Sequence, residues 1–222
     1  MKISSFLSIC LIAATLSCQA QTTPKSAGSK ERIVSITTDY GTMKVKLYNE
    51  TPKHRDNFIK LASEGFYNGL LFHRVIKEFM IQGGDPNSKT AGPDTQLGSG
   101  DVGYKVPAEI NDNLHHKKGT LCAARDGNPE KASSGCQFYI VQGKKYTDEE
   151  LNMFESRMGY KFTAQQRNDY KTIGGTPHLD KNYTVYGEVI EGMDVIDKIA
   201  AVKTKPGDRP VQDVKMTVKV VK

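Results

Sequence analysis

The sequence predicts a mainly β fold: a closed barrel of about eight short strands, capped by two helices, with a helical hairpin inserted late in the chain. Three observations predict it. Short apolar runs alternate with the two-residue rhythm of strands and break at Gly, Pro, Asn and Asp. Glycine is plentiful, at 20 residues, and Trp is absent, which suits a turn-rich β protein better than a bundle. Outside the insertion, only two stretches carry the spacing of a buried helical stripe. The length of 222 residues, 37% hydrophobic and 25% charged, fits one domain with an insertion.

The elements follow in chain order. Lys2 and the apolar run Phe6 to Leu16 read as a secretory signal over residues 1–17, too short to span a bilayer. "TLSC" resembles a loose bacterial lipobox, with Cys18 as the lipidated first residue, although Thr15 stands where Leu is usual. Cleavage after Ala20 is the alternative. The polar run 18–30 then reads as a flexible tether, and 31–222 as the folded domain. The chain is therefore expected to be exported, either periplasmic or membrane-anchored by lipid at Cys18.

"RIVSITTDYGTMKVKLYNE" reads as a hairpin turning at Asp39-Tyr40-Gly41. "TPKHRDNFIKLASEG" reads as a helix, with Thr51 as N-cap, Pro52 at the first position, Gly65 as terminator, and Phe58, Leu61 and Ala62 buried. "LLFHRVIKEFMIQGG" gives two short strands, in which Arg74 and Gln82 sit oddly among apolar neighbours. The Gly- and Pro-rich stretch from Asp85 to Tyr104 is long for a loop, which marks it as functional or mobile. "GTLCAAR", "CQFYIVQ" and "YTVYGEVI" are further strands. "GMDVIDKIAAV" is a second amphipathic helix, and "VKMTVKVV" closes the chain as an alternating strand. Between them, residues 144–175 turn helical, with capping boxes at Thr147–Glu150 and Thr163–Gln166.

Composition excludes some functions. The net charge is +6 and the pI near 9.0, but the lysines are scattered, so a solvated basic surface is expected rather than a nucleic-acid patch. No Cys/His spacing resembles a metal site, and the adjacent rings of His115 and His116 cannot share one face. Export permits a disulfide between Cys122 and Cys136, but two buried thiols are the simpler reading, since sequence cannot place their Cα atoms in range.

Four motifs, "GFYNGLLFHRVIKEFMIQGGDP", "GTLCAAR", "SSGCQFYIV" and "HLDKNYTVYGEV", occur in the order found in the cyclophilin-type peptidyl-prolyl isomerases. The resemblance runs from about Ile33 to the end, apart from the insertion. It implies an eight-stranded antiparallel barrel with its active groove on the outer wall. By position, Arg74 is similar to the family's catalytic arginine. Phe79, Met80, Tyr139 and Leu179 match the walls of its proline pocket. Gln82 matches the amide that contacts the substrate backbone and helps hold the arginine. Ala124 and Arg125 match the pair whose backbone meets the peptide, Gln137 a residue flanking the groove, and Gly98 a glycine of the neighbouring specificity pocket. Two positions depart. His178 stands where eukaryotic members carry Trp, which should weaken cyclosporin binding, and Tyr183 stands where His borders the pocket.

The resemblance implies action on proline-containing segments of folding proteins; a monomer without cofactor, metal or nucleic-acid partner is expected. The residue types agree with the chemistry. No bond is broken in X–Pro rotation, so a dry pocket and a fixed cation suffice; the rigid fork of Arg suits this better than Lys. The rival reading is a binding module that holds proline segments with little turnover; it rests on Tyr183 and the insertion.

Overall fold

The computed structural model describes residues 32–221. The export signal, Cys18 and the tether lie outside the described residues. The first hairpin pairs β1 (Arg32–Thr38) with β2 (Gly41–Leu47), in register from Arg32–Leu47 to Thr38–Gly41. There follow α1 (Pro52–Ser63), β3 (Arg74–Ile76), β4 (Met80–Gly83), β5 (Lys105–Val106), β6 (Thr120–Ala123), β7 (Ser133–Ser134) and β8 (Phe138–Val141). Then come α2 (Asp148–Met158), α3 (Ala164–Thr172), β9 (Val185–Glu191), α4 (Met193–Ala200) and β10 (Thr217–Val220). Short 3-10 turns cover Pro86–Thr90 and Pro177–Leu179. The small β5–β7 ribbon carries too few residues to show a rhythm in the sequence.

The expected closed barrel does not form. Eight antiparallel strands curl into a half-barrel in the order β10-β1-β2-β9-β6-β8-β4-β3, and the outer strands β10 and β3 share no ladder. The cause is local. β3 is three residues long, and the Val75 N–H on its outer edge donates to the Asp208 carbonyl instead. The seam is bridged just outside the two strands, at Leu71–Lys215, by Phe72 N–H to the Val214 carbonyl and Met216 N–H to the Leu70 carbonyl.

Side chains alternate across this sheet and so build two apolar layers. Val34, Ile36, Met43, Val45, Ile81, Phe138 and Ile140 point inward, against Phe58, Leu61 and Ala62 of α1 and Val195, Ile196 and Ile199 of α4. Met80, Cys122, Tyr139, Val141 and Val185 point to the opposite side and form a smaller outer cluster. Burying a large apolar side chain stabilises by about 1.5–3 kcal/mol, so the inner layer carries most of the fold. Cys122 and Cys136 are buried free thiols.

The α1 start departs from the sequence reading. Thr51 occupies the N-cap, but its hydroxyl makes no capping bond and is buried without a partner. Glu109, from a distant loop, accepts from the N–H groups of Lys53 (3.0 Å) and His54 (2.9 Å) instead.

The insertion folds as a helical hairpin with its own core of Tyr146, Leu151, Phe162 and Tyr170. Both capping boxes form, and α2 ends at Gly159 with φ of 74°. The hairpin is tied to the half-barrel through its neck, where Gly175 N–H donates to the Lys144 carbonyl and Lys118 N–H to the Gly174 carbonyl.

Candidate active site

Arg74 and Gln82 face each other across β3 and β4, and Gln82 faces Tyr139 across β4 and β8. The two-residue period puts Met80 and Gln82 on the outer side of β4 while Ile81 fills the inner core. The two polar residues of that strand pair thus mark its outer wall. Phe79 is presented by the turn joining the strands, where Glu78 adopts φ of 61° and the Gln142 amide oxygen accepts from the Glu78 N–H at 2.6 Å. A cavity of about 810 Å³ opens over this wall. Arg74, Phe79, Met80, Gln82, Ala124, Arg125, Tyr139, Leu179, Tyr183 and Gly98 all border it. Gln137 does not; with Gly98, Gln82, Ala124 and Arg125 it borders an adjoining cavity of about 650 Å³.

Hydrogen bonding separates these residues. Gln82 was expected to steady Arg74, but its amide N–H donates to Gln137 Oε1 at 3.1 Å. Arg74 has a different neighbour: its Nε lies 3.4 Å from Asp208 Oδ2, both side chains being about two-fifths exposed (43% and 42%). Gln137 is buried and has spent both donors, on the carbonyls of Gly98 (3.0 Å) and Gly100 (2.8 Å). It holds the loop against the strand and, so placed, has no N–H left for a ligand. Ala124 likewise uses its N–H on the Gln137 carbonyl and its carbonyl on the Ser134 N–H. Of the two residues expected to meet a peptide through their backbone, Arg125 alone keeps an N–H and a carbonyl with no partner among the described residues.

The loop 85–104 is ordered by a buried carboxylate. Asp85 accepts from the N–H groups of Asn87, Gly98 and Gly100. Gly98 has φ of 106°, a region closed to most L-residues, so the chain can turn there only on glycine.

Tyr139, the pocket wall, is braced from behind. His116 Nε2 lies 3.0 Å from the Tyr139 hydroxyl and Nδ1 lies 2.8 Å from Asp180 Oδ1. The other Asp180 oxygen accepts from the Tyr170 hydroxyl of α3 at 2.6 Å. All four residues are buried. Burial works to lower the His116 pKa, but the Cys122 sulfur and the Asp180 carboxylate override it and raise it to about 9. Next door, His115 pairs with Asp169 of α3 at 2.9 Å, yet burial keeps its pKa low. Tyr183 meets Tyr139 edge-on (5.9 Å, 85°), and the Arg125 guanidinium lies over its ring at 4.7 Å. His73, beside Arg74, is buried and held to a pKa of about 4, mainly by that burial, so it adds no positive charge there near neutral pH.

Two features of the wall were missed in the sequence. The loop 205–209 closes the cavity next to Arg74, and Arg209 clamps it to the loop at 92–95 by donating to the Gly92 (2.9 Å) and Thr95 (3.1 Å) carbonyls. "DRPVQD" is the signal that could have found it: its arginine meets Asp213 at i, i+4. The other is His116, whose Asp partner lies 64 residues away. No cluster of three or more His, Cys, Asp or Glu among the described residues is placed to hold a metal ion.

Comparison with known proteins gives concordant results. Residues 33–220 match the family model described as "Cyclophilin type peptidyl-prolyl cis-trans isomerase/CLD". A Staphylococcus aureus protein named as a peptidyl-prolyl cis-trans isomerase is 36% identical over 182 residues, covering 82% of this chain and 87% of its own. A Streptococcus pyogenes protein named for two activities, phosphatase and peptidyl-prolyl cis-trans isomerase, is 39% identical over 82% of this chain, which spans only 37% of it. Among solved structures, a cyclophilin-type isomerase of Cryptosporidium parvum superposes with a TM-score of 0.63 at 23% identity, covering 87% of this chain and 99% of that one. The same protein crystallised in the presence of the dipeptide Ala-Pro superposes with a TM-score of 0.61.

Proposed function

The chain belongs to the cyclophilin-type peptidyl-prolyl cis-trans isomerase family, and we propose that it accelerates X–Pro rotation in proteins that fold after export. One observation carries the mechanism: a guanidinium, Arg74, stands at the rim of a cavity walled by Phe79, Met80, Tyr139 and Leu179. The barrier to overcome is about 18–20 kcal/mol, because resonance gives the C–N bond double-bond character. A turnover on the order of 1000 per second requires removing about 7 kcal/mol of it.

Three contributions fit the geometry. The apolar walls seat the proline ring and strip water from the amide, which disfavours its charge-separated planar form. Arg125's backbone and the Gln82 amide hold the chain on one side, so that the other side turns. Arg74 donates to the prolyl nitrogen, which regains its lone pair only in the twisted state. Walls fixed by packing and an arginine paired with Asp208 support a site that needs little reorganisation at the transition state.

The cellular setting is proposed from the N-terminal sequence: export under the signal at 1–17, anchoring by lipid at Cys18, and action as a monomer on proline-containing segments. Mass spectrometry of the mature N-terminus tests the anchor; an unmodified chain starting at Gln21 would dismiss it. The catalytic proposal is tested by proline-peptide exchange spectroscopy on wild type and Arg74→Ala. Loss of about 10²-fold or more in kcat is expected if the arginine acts on the transition state. Equal rates would remove Arg74 from the mechanism.

A further inference from the structure

Phe79 belongs to two features at once. It borders the cavity proposed to seat proline, and its ring stacks on His178, with centroids 5.5 Å apart and planes at 28°. His178 stacks in turn on Phe154 of α2, at 6.2 Å and 24°. Three rings, each stacked on the next, thus run from the cavity rim onto the inserted hairpin. Phe154 is held edge-on by Tyr146 (5.5 Å, 84°), whose own ring lies under Lys144. The row is open to solvent: His178 is exposed and both phenylalanines are half-buried. Although its edge is exposed, His178 is sandwiched between the two phenylalanines, and that partial desolvation, with the nearby His116, lowers its pKa and favours the uncharged ring.

A peptide can leave the proline cavity in two directions. Gln82, Gly98, Ala124 and Arg125 border both cavities, so one exit crosses them. Phe79 borders the first cavity and not the second, so the other exit crosses Phe79 and meets the row of rings. We propose that Phe79, His178 and Phe154 form a subsite for an apolar or aromatic side chain of the bound peptide, on the flank of the proline away from Arg125. The proposal rests on reading the first cavity as the proline pocket. It gives the hairpin a part in selecting substrate: α2 supplies the outermost ring, and α3, through Tyr170 and Asp169, fixes the hairpin to the wall. Flat rings suit a flat or aliphatic partner, and the neutral imidazole presents a carboxylate with one N–H but no charge.

The test uses peptides with a single proline, carrying Ala, Phe or Glu at one position before or after it. Exchange spectroscopy gives turnover and direct titration gives affinity. On one flank, wild type should bind Phe better than Glu by about three- to tenfold. Phe154→Ala and, independently, His178→Ala should each erase most of that ratio. Asn152→Ala, exposed on the same helix, should leave it intact; melting curves check that each variant is folded. His178 lies outside the hairpin helices, so it reports even if Phe154→Ala unfolds α2. An unchanged ratio at every position in both variants overturns the subsite. If wild type accelerates no peptide yet binds with the Phe preference, the isomerase reading fails and the subsite stands.

Discussion

His116 Nε2 lies 3.0 Å from the Tyr139 hydroxyl, and the two rings stack within 11° of parallel. A pocket wall is thereby joined to a buried His–Asp pair, and through Tyr170 to the insertion. With the imidazole protonated, each ring nitrogen donates, to Tyr139 on one side and Asp180 on the other. Tyr139→Phe keeps the ring but strands a buried N–H. The expected cost is about 1–3 kcal/mol in urea unfolding. Tyr170→Phe, which strips one donor from Asp180 instead, should cost a similar amount. A neutral result for both would show that the chain of bonds contributes nothing to stability.

The same pair sets a pH dependence. The folded pKa of His116 is raised to about 9, against about 6.5 for an unfolded histidine. The folded state therefore holds the proton more tightly. Its contribution to stability is fully present below about pH 6.5 and is lost as pH rises toward 9. The melting temperature of wild type should fall between pH 7 and 9 more steeply than that of His116→Gln. Parallel curves would contradict the shift. Toward acid the sign reverses through His73, lowered to about 4, which must be protonated against burial as pH drops below 6.5.

Among the described residues, the ion pair with Asp208 is the polar contact that steadies the Arg74 guanidinium. Asp208 has φ of 66°, which Asn also tolerates, so Asp208→Asn tests the charge without straining the turn. An exposed pair is worth about 0.2–1 kcal/mol, so kcat should fall by about 1.5- to fivefold with KM nearly unchanged. A change in KM alone would assign Asp208 to binding rather than to positioning Arg74.

Legibility in the sequence followed contact distance along the chain. The hairpin of β1 and β2, the stripes of α1 and α4 and both capping boxes depend on neighbours within about one or two turns, and each could be read directly. Arg74 and Gln82 stood out because a two-residue alternation cannot place them in the core. What failed was decided by distant partners. Gln137 gives up its donors to a loop some forty residues upstream. Asp208 takes the edge of β3 and so leaves the half-barrel open, although β10 alternates as a closing strand should. His115 and His116 are adjacent and share no face, yet each has its own aspartate from a distant segment.

The start of α1 separates the two kinds of information most sharply. The residue type and the following proline make Thr51 the obvious cap, and truncating a cap usually costs about 0.5–2 kcal/mol. Here the Thr51 hydroxyl is buried and unpartnered, so Thr51→Ala removes an unsatisfied group rather than a bond. The change should be close to neutral or slightly stabilising. Glu109 takes over the role, accepting two backbone N–H groups and a 2.7 Å bond from His54 Nδ1. His54 stays neutral because burial lowers its pKa despite that carboxylate, and its Nε2 accepts from Ser133 Oγ at 3.0 Å. Glu109→Ala leaves the buried imidazole donor and both helix-end donors without their acceptor. The loss should reach about 2–4 kcal/mol by denaturant unfolding, since bonds to charged groups are worth about 1.5–3 kcal/mol each and water can reach the Lys53 N–H. A Thr51→Ala loss larger than the Glu109→Ala loss would return the cap to the residue the sequence favours.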